Sequence, residues 1–344
     1  MGRRSLVNKD PELTRFLGTE PLTIETLASG LAIDPTPAEA VYVRNNLTEP
    51  ELPDSWSVEV AGTKMPRLLS IGELFGNHPR VELTTVLQCA GNGRRRLPTP
   101  AAGVQWDLGG MACVDWSGVR LADVVAAAGG VSTEAPYLTV LGSDAAPDDP
   151  ARVERSVPAA DALADAILAD RLNGDPLPSI HGRPVRFVMP GYFAVNSVKW
   201  VRRIAFTDRE STADIQTVRY RKVPPGEEPS PNNPSLWAIG PTAVIVAAEP
   251  GAGCVTVSGV AFSGGDAIEG VDLTADGGAW EPATLSPDRG RFAWRRFHGV
   301  IQADGAAWVS ARCRTGDGIQ PRHSEPNQDG YAVDGWEELA YRLS

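Results

Sequence analysis

The chain has 344 residues and a formal net charge of −11, with 42% apolar and 22% charged residues. That length exceeds the ~250 residues at which a single hydrophobic core stops growing, so two domains are expected. An acidic balance argues against non-specific nucleic-acid or anionic-membrane binding, and no apolar run reaches the roughly 18 residues of a membrane span.

The N-terminus, MGRRSLVNKDPELTRF, carries Arg3-Arg4 as in a twin-arginine export signal, but Asn8, Lys9, Asp10 and Pro11 replace the apolar stretch that should follow. A cytoplasmic protein is expected. Residues 1–45, mixed and rich in Pro and Thr, read as an arm laid over a larger domain. From Ser55 onward come short apolar or alternating runs of strand type: Ser55–Gly62, Val81–Cys89, Tyr137–Ser143, Val185–Gly191 and Val198–Phe206. Between them Ser156–Leu172 predicts a helix, with Ser156 as N-cap, Pro158 in its first turn, and Asn173-Gly174 as its stop.

Val223–Pro241 is dominated by Pro, Asn and Glu, which sustain neither helix nor strand, and marks a domain boundary. Beyond it every periodic segment is strand-like, and Asp276-Gly277 carries a hairpin signal between alternating runs. The expected architecture is an α+β domain over residues 1–235 and an all-β, immunoglobulin-like sandwich over 242–344.

Four cysteines, Cys89, Cys113, Cys254 and Cys313, are widely spaced and form neither a CxxC pair nor a disulfide framework. Cys89 differs from the others by its surroundings: it ends an apolar strand and precedes Gly91, Gly93 and the run Arg94-Arg95-Arg96. Neighbouring guanidinium groups favour a thiolate, which binds soft metals. The competing reading is a core cysteine before a solvated basic turn. His78, His181, His298 and His323 sit in no hydrolase or zinc pattern. A second cationic set, His181, Arg183, Arg186, Lys199, Arg202 and Arg203, is interleaved with apolar residues and suits a phosphate or another anion.

The motifs VYVRNNL, TTVLQCAGNGRRRL, WDLGG, HGRPVRFVMPG with SVKWVRRI, and SGGDAIEGVDLTADGGAW, in that order, resemble the sulfite oxidase family of mononuclear molybdenum enzymes. The resemblance runs from Val41 to the C-terminus. It implies a molybdopterin-binding domain followed by an immunoglobulin-like dimerisation domain, hence a homodimer. It implies Cys89 as the thiolate ligand of molybdenum, and Arg44, Arg94, Trp106 and Tyr220 around the substrate. Tyr42, Arg44, Asn46, Asp144, His181, Arg186, Ser197 and Lys199 would hold the pterin and its phosphate. Gly93 is an insertion relative to the animal and plant motif, so Arg94, Arg95 and Arg96 all remain candidates for the pocket arginine.

Two departures stand out. Asp329, in PNQDGY, takes the place of a family arginine, and Arg219 precedes Tyr220 where an aspartate is usual. The implied activity is oxidation of sulfite to sulfate by oxygen-atom transfer on a small anionic substrate. Nitrate, a sulfoxide or another sulfur compound are the alternatives within the family, and a non-catalytic binding module the alternative outside it. No CxxCH occurs and no haem is expected, so electrons would pass to a separate acceptor, with a cytochrome as one candidate.

Overall fold

Arg80–Gln88 alternates between exposed and half-buried residues as far as Leu83, then runs buried from Thr85 to its end. The strand therefore starts at the surface, enters the interior, and delivers Cys89 inside the protein. The structure, a computed structural model, describes residues 9–146 and 148–343, so the Arg3-Arg4 pair lies outside the described residues.

Arg80–Gln88 pairs antiparallel along its whole length with Met111–Arg120, which continues into Ile167–Leu172; Arg186–Val188 pairs with the latter. Gly118 lets this sheet close, because a Cβ there would stand 2.0 Å from the Leu168 carbonyl oxygen. A second sheet runs in the order Arg67–Ser70, Ser57–Ala61, Val201–Thr207, Tyr137–Gly142 and Glu154–Pro158, with the Ser57–Ala61 and Val201–Thr207 pair parallel. The N-terminal arm forms a third, small sheet of Thr14–Thr19, Leu22–Thr26 and Val43–Arg44.

The helix expected over Ser156–Leu172 is not formed as such. Its helical part is Ala159–Asp165 alone, between the strands Glu154–Pro158 and Ile167–Leu172. Tertiary pairing overrides local propensity here: Ile167 and Leu168 are buried against Arg120 and Val119. Ser156 caps nothing; its hydroxyl meets Thr139 Oγ1 at 2.7 Å and accepts from the Ser211 amide. Asn173 and Gly174, both at positive φ, make the two-residue turn to Asp175–Pro176.

From Thr242 the described chain is strand and loop. Thr242–Pro250, Cys254–Phe262, Arg295–Gln302 and Thr284–Leu285 form one antiparallel sheet. Ile268–Ala275 and Trp308–Thr315, with short edge strands, form the other. Val257, Leu273, Phe297 and Val309 fill the space between the two. The Asp276-Gly277 turn leads only to the short strand Glu281–Pro282, because the Asp276 carboxylate accepts the Ala307 and Trp308 amides and brings Trp308–Thr315 alongside instead. Phe262, Trp294, Val333 and Leu339 belong to the same core as Val86 and Ala90, so the C-terminal region packs directly behind the Cys89 strand. Among the described residues no helix is long and apolar enough to cross a membrane.

Candidate active site

Cys89 is fixed by the turn that follows it. Its amide donates to Gly110 O at 2.8 Å, its carbonyl accepts from Asn92 N at 3.0 Å, and the Asn92 side chain accepts from Gly110 N at 2.8 Å. Gly93 adopts φ +82°, where a side chain would be strained, and starts a single 3-10 turn over Arg94–Arg96. That turn sorts the three arginines. Arg94 is turned inward and buried, Arg95 is exposed, and Arg96 meets Asp107 and the Ala340 carbonyl.

One cavity brings together most of the residues expected at the site: Tyr42, Arg44, Asn46, Cys89, Asp144, His181, Arg186, Ser197, Lys199 and Tyr220 line it. Their supports are local. Arg186 donates to the carbonyls of Ser197 and His181, both at 3.2 Å, and lies over the Trp116 ring. Lys199 Nζ donates to the carbonyls of Ile180 at 3.1 Å and Arg44 at 3.3 Å, and to the side chain of Asn45. Ser197 Oγ accepts from the Met189 amide at 3.0 Å.

Trp106 and Arg94 are placed differently. Trp106 is wholly buried behind Tyr42, edge to face at 5.7 Å, and its indole N–H finds no acceptor among the described residues. It shapes the cavity through the tyrosine. The Arg94 guanidinium fills the space between Gly91 and Gly103, donating to Asp329 O and Val104 O, each at 2.8 Å. Both bonds hold backbone, so Arg94 clamps the C-terminal loop onto the cysteine turn.

That loop contributes a residue the motifs did not single out. Tyr331 stacks on Tyr220 at 5.2 Å and 21°, and the Arg94 guanidinium lies 5.1 Å from its ring centroid. Its backbone is clipped by the Asn327 side chain, and the next residue, Ala332, donates to Ala90 O at 2.8 Å. Tyr220 itself has φ +54°, costly for a tyrosine, and its hydroxyl donates to Asn46 at 2.9 Å. Arg155, wholly buried and bonded to Asn196 and Ile215 O, stands behind it. The proximity of Tyr331 to Asp329, and an arginine between Val153 and Val157, were the available signals for these two.

The electrostatics are those of a buried cation cluster. Burial, followed by repulsion from Arg186, lowers Lys199 to about 7, and burial lowers Arg186 to about 10. Burial pushes the Asp144 carboxyl up to about 6 although Lys199 opposes the shift, and its Oδ1 finds no partner among the described residues. Tyr220 is raised by burial and stays a phenol, hence a donor. Such a cavity has a thiol, excess cations, and a carboxylate oxygen left open as an acceptor.

Residues 46–215 match the family described as the oxidoreductase molybdopterin binding domain. The chain is 33% identical to the sulfite oxidase of Gallus gallus over 317 residues, covering 85% of this chain and 69% of that protein. The chain belongs to the sulfite oxidase family. It is also 35% identical to the mitochondrial sulfite oxidase of Homo sapiens over 283 residues, 76% of this chain; those residues make up 52% of the human protein, so the chain spans about half the length of such relatives. Among solved structures, the sulfane dehydrogenase SoxCD from Paracoccus pantotrophus superposes with a TM-score of 0.78 at 25% identity, covering 99% of this chain and 89% of that one.

The donor set fits the cofactor of a sulfite oxidase family member. A thiolate at Cys89 suits molybdenum, the cations suit a phosphate, and Asp144 Oδ1 suits the N–H groups of a heterocycle. Two predictions follow from this geometry. Arg94→Met should cost about 1.5–3 kcal/mol in denaturant unfolding, because a buried guanidinium that bonds two half-buried carbonyls is lost, while Arg95→Met should stay within about 0.5 kcal/mol. Equal losses in both would contradict the assigned orientations. Asp144 binds its proton more tightly folded than unfolded, so its contribution to the cofactor-free chain is lost as pH rises from about 4 to about 6. Unfolding of Asp144→Asn across that range should therefore show a gain over the wild type that grows with pH and levels off above 6; a constant difference would refute it.

Proposed function

We propose that this protein oxidises sulfite to sulfate at a molybdenum cofactor held in the Cys89 cavity. The observation that carries the reading is a single cavity in which the Cys89 thiol meets Arg44, Arg186 and Lys199, with Asp144 as the one carboxylate among the lining residues. Sulfite and water become sulfate, two protons and two electrons; the protons leave to solvent and the electrons to a separate acceptor. When bound, the molybdenum cofactor supplies the two-electron oxygen-atom transfer.

The residues of the chain position and neutralise. Cys89 provides the thiolate for the metal. Lys199, Arg186 and His181 hold the anionic part of the cofactor, and Asp144 accepts from its ring. Arg44, on the strand that also carries Tyr42, provides fixed positive charge for an anionic substrate in a low-dielectric setting. Tyr220 and Asn46, already hydrogen-bonded to each other, offer neutral polar contacts to the substrate oxygens. Arg94 acts on this site through Tyr331 and the C-terminal loop.

A second substrate reading is favoured by Asp329. Its carboxyl is raised by burial while Arg94 and Arg219 pull it back, so one acidic group sits within the field of two arginines near Tyr331. That offsets positive charge and suits a less highly charged sulfur compound, such as the sulfane type that the SoxCD name records. We also read residues 242–344 as an immunoglobulin-like dimerisation domain, supported by exposed apolar Val300 and Ile319 on its strands.

The purified protein should contain about one molybdenum per chain and reduce ferricyanide when sulfite is added. Cys89→Ser should lose the metal and the activity, since a strong ligand is gone. A fully loaded, active Cys89→Ser protein would sink the ligand assignment, and molybdenum without sulfite turnover would move the substrate to the sulfane class. Light scattering should give twice the chain mass of 36.6 kDa at micromolar concentration. A monomer throughout would remove the dimer.

A further inference from the structure

Lys9 reaches the site from the N-terminal arm. Its Nζ lies 2.6 Å from Ala38 O, 2.6 Å from Val41 O and 3.0 Å from His181 Nε2. An ammonium has three hydrogens and no lone pair, so with two hydrogens on carbonyls the third points to Nε2 and makes it the acceptor. A neutral imidazole whose Nε2 accepts carries its proton on Nδ1. His181 is held neutral: burial first, then Lys9, Arg186 and Lys199, push its pKa well below the usual range.

His181 occupies a boundary. It lines the Cys89 cavity and also a neighbouring cleft of about 1250 Å³ in which Lys9 sits. The arm does not need Lys9 to stay in place. Asp10 N donates to Glu39 O, Leu27 N to Leu13 O at 2.8 Å, and Thr14–Thr19 pairs with Leu22–Thr26. A half-buried lysine on an arm that has other anchors invites a role toward the ring it touches.

We propose that Lys9 is a positioning residue for the cofactor: it fixes His181 in the Nδ1–H form, so that the ring presents a neutral hydrogen-bond donor to the anionic part of the cofactor beside Arg186 and Lys199. This rests on the molybdenum-cofactor reading of the cavity. A ring with the opposite tautomer would turn a lone pair toward the same anion. Lys9 thus decides whether His181 attracts or repels it. Burial lowers Lys9 to about 7, with Glu39 opposing, so at pH 6 it carries its charge.

The test uses the full chain labelled with [15N]histidine, observed at pH 6 with and without cofactor, together with the rate of molybdenum and pterin loss on dialysis. Wild type should show His181 protonated on Nδ1 alone. Lys9→Met should shift the ring toward the Nε2–H form and release cofactor about tenfold faster. Lys9→Arg, which keeps donors and lacks an acceptor, should restore the wild-type tautomer and slow the loss. In a His181→Leu background Lys9→Met should add nothing to the release rate. An unchanged His181 tautomer in Lys9→Met, or unchanged cofactor loss, overturns the proposal. A wild-type chain with no molybdenum would overturn the cofactor reading instead, and the tautomer spectra would still decide the Lys9–His181 contact.

Discussion

The site depends on one constraint: positive charge is buried around Cys89 faster than the chain supplies carboxylates to balance it. Arg44, Arg186 and Lys199 share a cavity with Asp144, and Lys9 and Arg155 stand just behind its walls. Each of these cations would ordinarily be solvated or paired. Here burial depresses Lys199 to about 7 and Arg186 to about 10. The chain as a whole carries −11, so the imbalance is local and built by the fold. With screening limiting exposed charges to about 8 Å at physiological salt, a buried cluster sets its own field whatever the sign of the surface.

That cluster explains why so many separate segments meet at one place. The arm contributes Lys9 and Arg44, the first large sheet Cys89 and Arg186, the second sheet Asp144 just beyond Tyr137–Gly142, and the C-terminal loop Tyr331. Like charges brought together need rigid supports, and backbone carbonyls provide most of them: Ile180, Arg44, Ser197 and His181 each accept from a cation. Carbonyl dipoles stabilise a cation without cancelling its charge. The field is therefore held and still available to an anion.

Much of this was legible in the sequence, for identifiable reasons. Cys89 could be placed at a strand end because a largely apolar run precedes it and Gly91 and Gly93 follow, and the change to strand alone from Thr242 comes after a Pro- and Asn-rich stretch that nothing regular can use. The helix over Ser156–Leu172 misled because Ala, Leu and Asp favour helix locally, whereas Ile167–Leu172 is claimed by Met111–Arg120, a partner some fifty residues earlier that periodicity cannot see. Asn173-Gly174 then read as a helix stop although the pair is also the strongest hairpin signal. The direction of Arg94 was equally hidden: Gly93 can swing the turn either way, and only packing against Gly91 and Gly103 decides it.

The C-terminal loop shows how a charge exchange can be absorbed without rebuilding a site. Asp329 uses its backbone oxygen to hold Arg94 and places its carboxyl in the field of Arg94 and Arg219. An arginine at 329 would face those same two cations, so the acid at 329 and the base at 219 make sense only together. With Arg94 held as a clamp against Tyr331, Arg44 and Arg186 are the arginines that line the cavity. The cavity keeps the positive charge of Lys199 and Arg186, held on backbone carbonyls, while at the C-terminal loop one carboxyl tempers two arginines.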